Sequence, residues 1–121
     1  MKKILIVFGT RPEAIKLLPL IKRLKASNPI LTEVCITGQH RAAVDSILSD
    51  ESIIPNYDID ISRPNQDLFD ITSNVLIKLK KLLEDIRPDL VIVHGDTSTA
   101  YATALACFYL NIRVAHIESG L

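Results

Sequence analysis

The chain has 121 residues, 48% hydrophobic and 23% charged, with Lys plus Arg and Asp plus Glu at 14 each. That is enough for one domain with a real core, and the charge balance gives no argument for nucleic acid, a membrane surface or a polyanionic partner. Cys35 and Cys107 lie among apolar neighbours without CxxC or metal-ligand spacing, so both read as buried reduced thiols and no metal site is expected.

The first predicted element is a buried parallel strand, Ile4-Leu5-Ile6-Val7-Phe8, ending in Gly9. This apolar run is only five residues long and lacks a signal cleavage pattern. No segment is long enough to span a bilayer, so a cytoplasmic protein is expected. Thr10 and Glu13 have capping-box spacing, and Pro12 falls in the first helical turn, where its missing N–H costs nothing. Arg11 is thereby placed at a helix N-terminus, where free N–H groups and the helix dipole favour an anion and a guanidinium can clamp a phosphate.

Ala14, Leu17, Leu18, Ile21 and Leu24 predict an amphipathic helix over 12 to about 26, bent at Pro19. Leu31 to Thr37 reads as a second strand, followed by the loop Gly38-Gln39-His40-Arg41 and a short helix through Val44, Ile47 and Leu48. A brief third strand is expected over Tyr57 to Ile61, between turns marked by Pro55, Asn56, Pro64 and Asn65. Leu68, Ile71, Val75, Leu79, Leu82, Leu83 and Ile86 form the clearest helical stripe, and Pro88 stops it.

Asp89 to Val93 repeats the buried-strand pattern, and His94-Gly95-Asp96-Thr97-Ser98 leads into a helix over roughly 98 to 110 that is apolar nearly all round. Such a helix calls for a second covering layer. Val114 to Glu118 is a fifth strand. The alternation βαβαβαβαβ predicts an α/β doubly wound parallel sheet, Rossmann-like, forming a single domain over 1–121.

For strand order 3-2-1-4-5 the ligand crevice lies beyond the carboxyl ends of the first and fourth strands. One crevice would then gather Arg11, Lys16, Asp96 and Glu118, with Lys16 reaching back because helical side chains lean toward the N-terminus. Two carboxylates and two cations suit an anionic, phosphorylated ligand undergoing proton transfer. Each residue also has a plain structural reading. Asp96 or Thr97 caps the next helix, Glu118 is a solvated strand end, Lys16 is a surface lysine, and His94 and His116 are packed and hydrogen-bonded. A nicotinamide site is disfavoured, since only Gly9 stands where three glycines are wanted, and a Walker A motif and a Ser/Thr-rich FMN loop are both missing.

Four stretches together, Phe8 to Lys16, Gln39-His40-Arg41, Arg87-Pro88-Asp89 with Val93 to Thr97, and His116 to Leu121, resemble the non-hydrolysing UDP-N-acetylglucosamine 2-epimerases in order and spacing. The resemblance implies the N-terminal part of a two-domain GT-B fold, usually a homodimer, interconverting UDP-GlcNAc and UDP-ManNAc without a cofactor by anti elimination and re-addition of UDP. It also implies service in cell-surface polysaccharide biosynthesis. Asp96 and Glu118 match family carboxylates of acid/base work, while Arg11 and Lys16 match residues of the substrate site. Gln39 and His40 match a loop near the UDP-sugar, which in some bacterial members also lines a second, activating site. This sequence departs from that pattern at Ala42-Ala43 and over Arg63-Pro64-Asn65-Gln66. Family members are much longer, so a C-terminal domain is expected as the missing partner, with negligible turnover by this chain alone. Alternatives are an inert nucleotide-sugar-binding fragment, or part of a GT-B glycosyltransferase or hydrolysing epimerase.

Overall fold

The computed structural model describes residues 1–119. Five parallel strands, β1 (Lys3–Phe8), β2 (Leu31–Ile36), β3 (Tyr57–Asp58), β4 (Leu90–His94) and β5 (Val114–Ile117), form one sheet in the order β3-β2-β1-β4-β5. The register sets Ile6 beside both Val34 and Ile92, and Ile92 beside Ala115. Four helices connect them: α1 (Arg11–Lys25), α2 (Arg41–Asp50), α3 (Leu68–Ile86) and α4 (Ser98–Tyr109).

Strand side chains alternate between faces, so each central strand feeds two cores. Leu5, Val7, Val91 and Val93 face α3 and α4, packing against Val75, Leu79, Leu83 and Ala106. Ile6, Phe8, Val34 and Ile92 face α1 and α2, packing against Leu17, Ile21, Val44 and Leu48. The doubly wound α/β fold and strand order read from the sequence are therefore both present, with the switch point between β1 and β4.

Some boundaries differ from expectation. β3 stops at Asp58 instead of running to Ile61, because the Asp58 carboxylate accepts the backbone N–H of Asp60 at 2.9 Å and Asp60 takes a left-handed φ of 44°. That local turn makes the ladder irregular, although the Ile59 and Ile61 N–H groups still donate to the Ile36 and Thr37 carbonyls at 3.0 and 2.8 Å. α1 runs unbroken through Pro19 from Arg11 to Lys25. α3 begins at an Asp67–Asp70 capping box and ends at Ile86, two residues before Pro88, with Arg87 between them left-handed at φ 45°.

α4 buries Thr99, Ala100, Ala102, Thr103, Ala106 and Cys107 against the sheet and α3, while Tyr101, Phe108 and Tyr109 are exposed. Both cysteines are free and buried, and burial pushes each thiol up to about 12, which keeps it unreactive. Among the described residues no helix is long and apolar enough to cross a membrane, and no group of His, Cys, Asp or Glu is arranged to hold a metal.

Candidate functional site

The chemistry-bearing residues collect beyond the carboxyl ends of the strands. The loop from β1 to α1 is pinned by Glu13, 1% exposed, whose Oε1 accepts from the backbone N–H of Gly9 at 3.2 Å, that of Thr10 at 3.0 Å and the Thr10 hydroxyl at 2.8 Å. Its other oxygen accepts from the Thr97 hydroxyl at 3.1 Å. One carboxylate thus forms the expected capping box and also ties the β1 loop to the β4 loop, 84 residues away. Burial pushes the Glu13 carboxyl above its usual range, against the pull of these donors.

Thr97 settles which residue caps α4. Its Oγ1 accepts from the N–H of Ala100 at 3.0 Å, so the cap is Thr97 and not Asp96. Asp96 is exposed at the cleft wall and has no hydrogen-bond partner among the described residues. A second network joins the loop after β2 to the first turn of α4, which follows β4. Thr37 and Thr99 hydroxyls lie 3.2 Å apart, and Thr99 donates to the side-chain oxygen of Gln39 at 2.6 Å. Gly9 is required where these loops converge, since a Cβ there would come within 1.9 Å of Thr37 Oγ1.

The expected crevice residues lie on this rim, but they are not equally engaged. Lys16 Nζ lies 3.2 Å from each carboxylate oxygen of Glu118. Glu118 sits just beyond β5 in left-handed backbone, φ 57°, and its Oε2 is 2.5 Å from Nε2 of His94, the last residue of β4. Its carboxyl is held below the usual carboxylate range, by the His94 hydrogen bond first and the Lys16 hydrogen bond next.

Arg11, at the first turn of α1, is exposed and makes no ion pair among the described residues. Gln39 is tied back to Thr99, whereas exposed His40 caps α2 with its backbone only, its N–H donating to the Gly9 carbonyl at 2.7 Å. Arg41 is taken up by Asp58 at 2.7 Å and Asp60 at 3.3 Å. His94, Asp96, Thr97, Tyr101, His116 and Glu118 line a cleft of about 490 Å³. His116 bonds the Gly95 carbonyl at 2.5 Å. The last two residues of the fourth motif, Gly120-Leu121, lie outside the described residues.

The sequence predicts Glu13 as half of a local cap and His94 as a packed, hydrogen-bonded histidine, but not that their partners are Thr97 and Glu118. The signal for His94 was its place at the carboxyl end of a central strand, two residues after Ile92 on the α1 face. For the threonines the only signal was their number at loop-to-helix junctions.

These features place the molecule among the doubly wound α/β domains whose ligand crevice lies beyond the strand ends. The family model of UDP-N-acetylglucosamine 2-epimerase matches residues 22–121, and the chain belongs to that family. It is similar to the UDP-N-acetylglucosamine 2-epimerase of Campylobacter jejuni, 55% identical over 120 residues that make up 99% of this chain and 31% of that protein. The enzyme of that name from Escherichia coli K12 is 50% identical over 98% of this chain and 32% of its own length.

Among solved structures, UDP-GlcNAc 2-epimerase from Neisseria meningitidis bound to UDP-GlcNAc superposes with a TM-score of 0.91 at 53% identity, over 98% of this chain and 33% of that one. The Methanocaldococcus jannaschii enzyme in complex with UDP-GlcNAc and UDP gives 0.91 at 37% identity, over 98% of this chain and 33% of its own. The chain spans about a third of the length of the curated relatives it matches. A likeness to a Pyrococcus furiosus hydrogenase domain, TM-score 0.65 at 16% identity, concerns the fold alone.

Proposed function

We propose that this chain is the N-terminal, catalytic-carboxylate-bearing domain of a UDP-N-acetylglucosamine 2-epimerase, interconverting UDP-GlcNAc and UDP-ManNAc. The observation that carries the reading is the Lys16–Glu118–His94 cluster beside Asp96 on one cleft wall, at the switch point of the sheet. Two relatives with this fold hold UDP-GlcNAc in their structures, which supports the choice of substrate.

In this role a carboxylate oxygen takes the proton from C2 of the sugar. The C–H electron pair closes the C1=C2 bond, and the C1–O pair leaves with UDP. Re-addition of UDP to the glycal, with a proton delivered to the other face of C2, gives the epimer. Asp96 and Glu118 are the acid/base pair, one for each proton transfer. Arg11, at the amino end of α1, meets the diphosphate where the helix dipole and free N–H groups favour negative charge. Lys16 balances charge between Glu118 and the leaving group, while Gln39 and His40 border the UDP-sugar. The chemistry needs no nicotinamide, since proton transfer and departure and re-addition of UDP balance without an oxidant or reductant.

The domain acts with a C-terminal partner domain of a GT-B fold, in the cytoplasm, supplying a sugar nucleotide for surface polysaccharide. A homodimer would cover the exposed apolar side chains of α3 and α4, Phe69, Ile77, Phe108 and Tyr109. A monomeric mass by light scattering at high concentration would count against that assembly for this chain.

The test is a proton NMR time course of UDP-GlcNAc in D2O with the 121-residue chain. Broadened uridine and sugar lines with a persistent C2 proton are expected, because elimination needs sugar and leaving group positioned together and half a cleft does not do this. Loss of the C2 proton, abolished by Asp96→Asn or Glu118→Gln, would show that these carboxylates suffice unaided. Unchanged spectra would contradict the reading.

A further inference from the structure

His94 ends β4 with its side chain on the α1 face, in step with Ile92. Only 9% of that side chain is exposed, and its Nε2 meets Oε2 of Glu118 at 2.5 Å. Glu118 reaches this position from left-handed backbone, a conformation that a residue with a Cβ keeps only where its surroundings over-determine it. Its other strong partner, Lys16, is 57% exposed along the side chain, so water and salt compete for that charge as they cannot for the ring. Asp96 and His116 also face the cleft, but neither bonds Glu118 among the described residues.

We propose that His94 is a positioning residue for the acid/base chemistry of Glu118, its buried ring, more than the exposed Lys16, holding the carboxylate in its working orientation. The inference rests on the reading above that Glu118 belongs to the sugar-nucleotide site. Nε2–H donates to Oε2 while Glu118 is ionised, and Oε1, whose partner is the exposed Lys16 at 3.2 Å, is the oxygen that takes the C2 proton as Lys16 turns to the leaving group. The ring keeps its own proton throughout, and the C–H pair goes into C1=C2 as UDP departs. The same ring is the leading cause of the lowered Glu118 carboxyl, which agrees with this geometry.

The test is a carboxyl 13C titration of the chain labelled at glutamate, with Glu118→Gln identifying the resonance. His94→Leu removes the donor without putting a new polar group in a buried place. It is expected to shift the Glu118 midpoint upward, and by more than Lys16→Met does. His94→Gln, whose amide can still donate, is expected to recover part of the shift, a rescue that a merely structural role would not give. It also keeps the test open if the leucine variant does not fold. A Glu118 midpoint unchanged by either His94 variant, or moved further by Lys16→Met, would overturn the inference.

UDP-GlcNAc added to the same samples separates this inference from the functional reading. Midpoints coupled to His94 in a chain that leaves the UDP-GlcNAc lines untouched would keep the pair and remove the epimerase role. Broadened UDP-GlcNAc lines with uncoupled midpoints would keep the epimerase role and remove the pair.

Discussion

The two ends of the sheet are built by the same strands and differ in what they bury. At the carboxyl end Thr10, Glu13, Thr37, His94 and Thr99 are buried polar residues, and all five are joined in hydrogen-bond networks that involve the segments following β1, β2, β4 and β5. At the amino end the polar groups of Lys2, Lys3, Asp89 and Arg113 stay near solvent, Asp89 accepts from the Lys3 N–H at 2.8 Å in the open, and the one buried polar side chain there, Thr32 of β2, has no hydrogen-bond partner among the described residues. Burying a polar group costs free energy unless every partner is supplied. Buried polar groups with their partners supplied are concentrated at the carboxyl end, which is where ligands of doubly wound sheets bind.

The sharpest way to break the contrast is Glu13→Ala, which leaves two backbone N–H groups and two hydroxyls of the carboxyl rim without their acceptor. A loss of about 3 kcal/mol is expected in denaturant unfolding. Glu13→Gln reads out the pH dependence. The folded carboxyl of Glu13 titrates above its ordinary 4.5, so its contribution to stability is fully present below that value and is lost as pH rises through the folded pKa. The stability advantage of wild type over Glu13→Gln should therefore shrink as pH rises from about 4.5, and an advantage that grows instead would contradict the assignment.

Gly9→Ala comes next, since its methyl group collides with Thr37 Oγ1. It should cost about 2 kcal/mol, and Thr37→Ala in the same chain should return part of that, a non-additivity measurable in a double-mutant cycle. Glu118→Gln is expected to change the unfolding midpoint less than either, while abolishing any C2-proton chemistry. The smallest effect is expected at the other end. Asp89→Asn keeps a side-chain acceptor for Lys3 N–H in an exposed position and should stay within about 0.5 kcal/mol of wild type. A large loss there would erase the distinction between the ends.

What the sequence made legible follows the same division. Local patterns sufficed for the Ile4 to Phe8 strand, the Thr10–Glu13 box and the α3 stripe, because each is decided by neighbours within a few residues. The strand order followed from alternation and handedness. The placement of Lys16 near Glu118 followed from the lean of helical side chains. Three features stayed hidden. The second role of Glu13 depends on Thr97, and the Gln39 anchor on Thr99. The His94–Glu118 pair joins two strand ends 24 residues apart. Each is a contact between loops that periodicity does not register. The third strand was legible from Tyr57, and only its end at Asp58 was not, because the Asp58 side chain makes a local turn.

The most direct measurement is a 1H–15N amide map of the chain titrated with UDP-GlcNAc. The account predicts shifts confined to the carboxyl rim, at Gly9, Thr10, Lys16, Gln39, Asp96 and Glu118, and their loss in Arg11→Ala with the fold intact. Shifts centred on Lys3, Asp89 and Arg113, or none at saturating ligand, would contradict it.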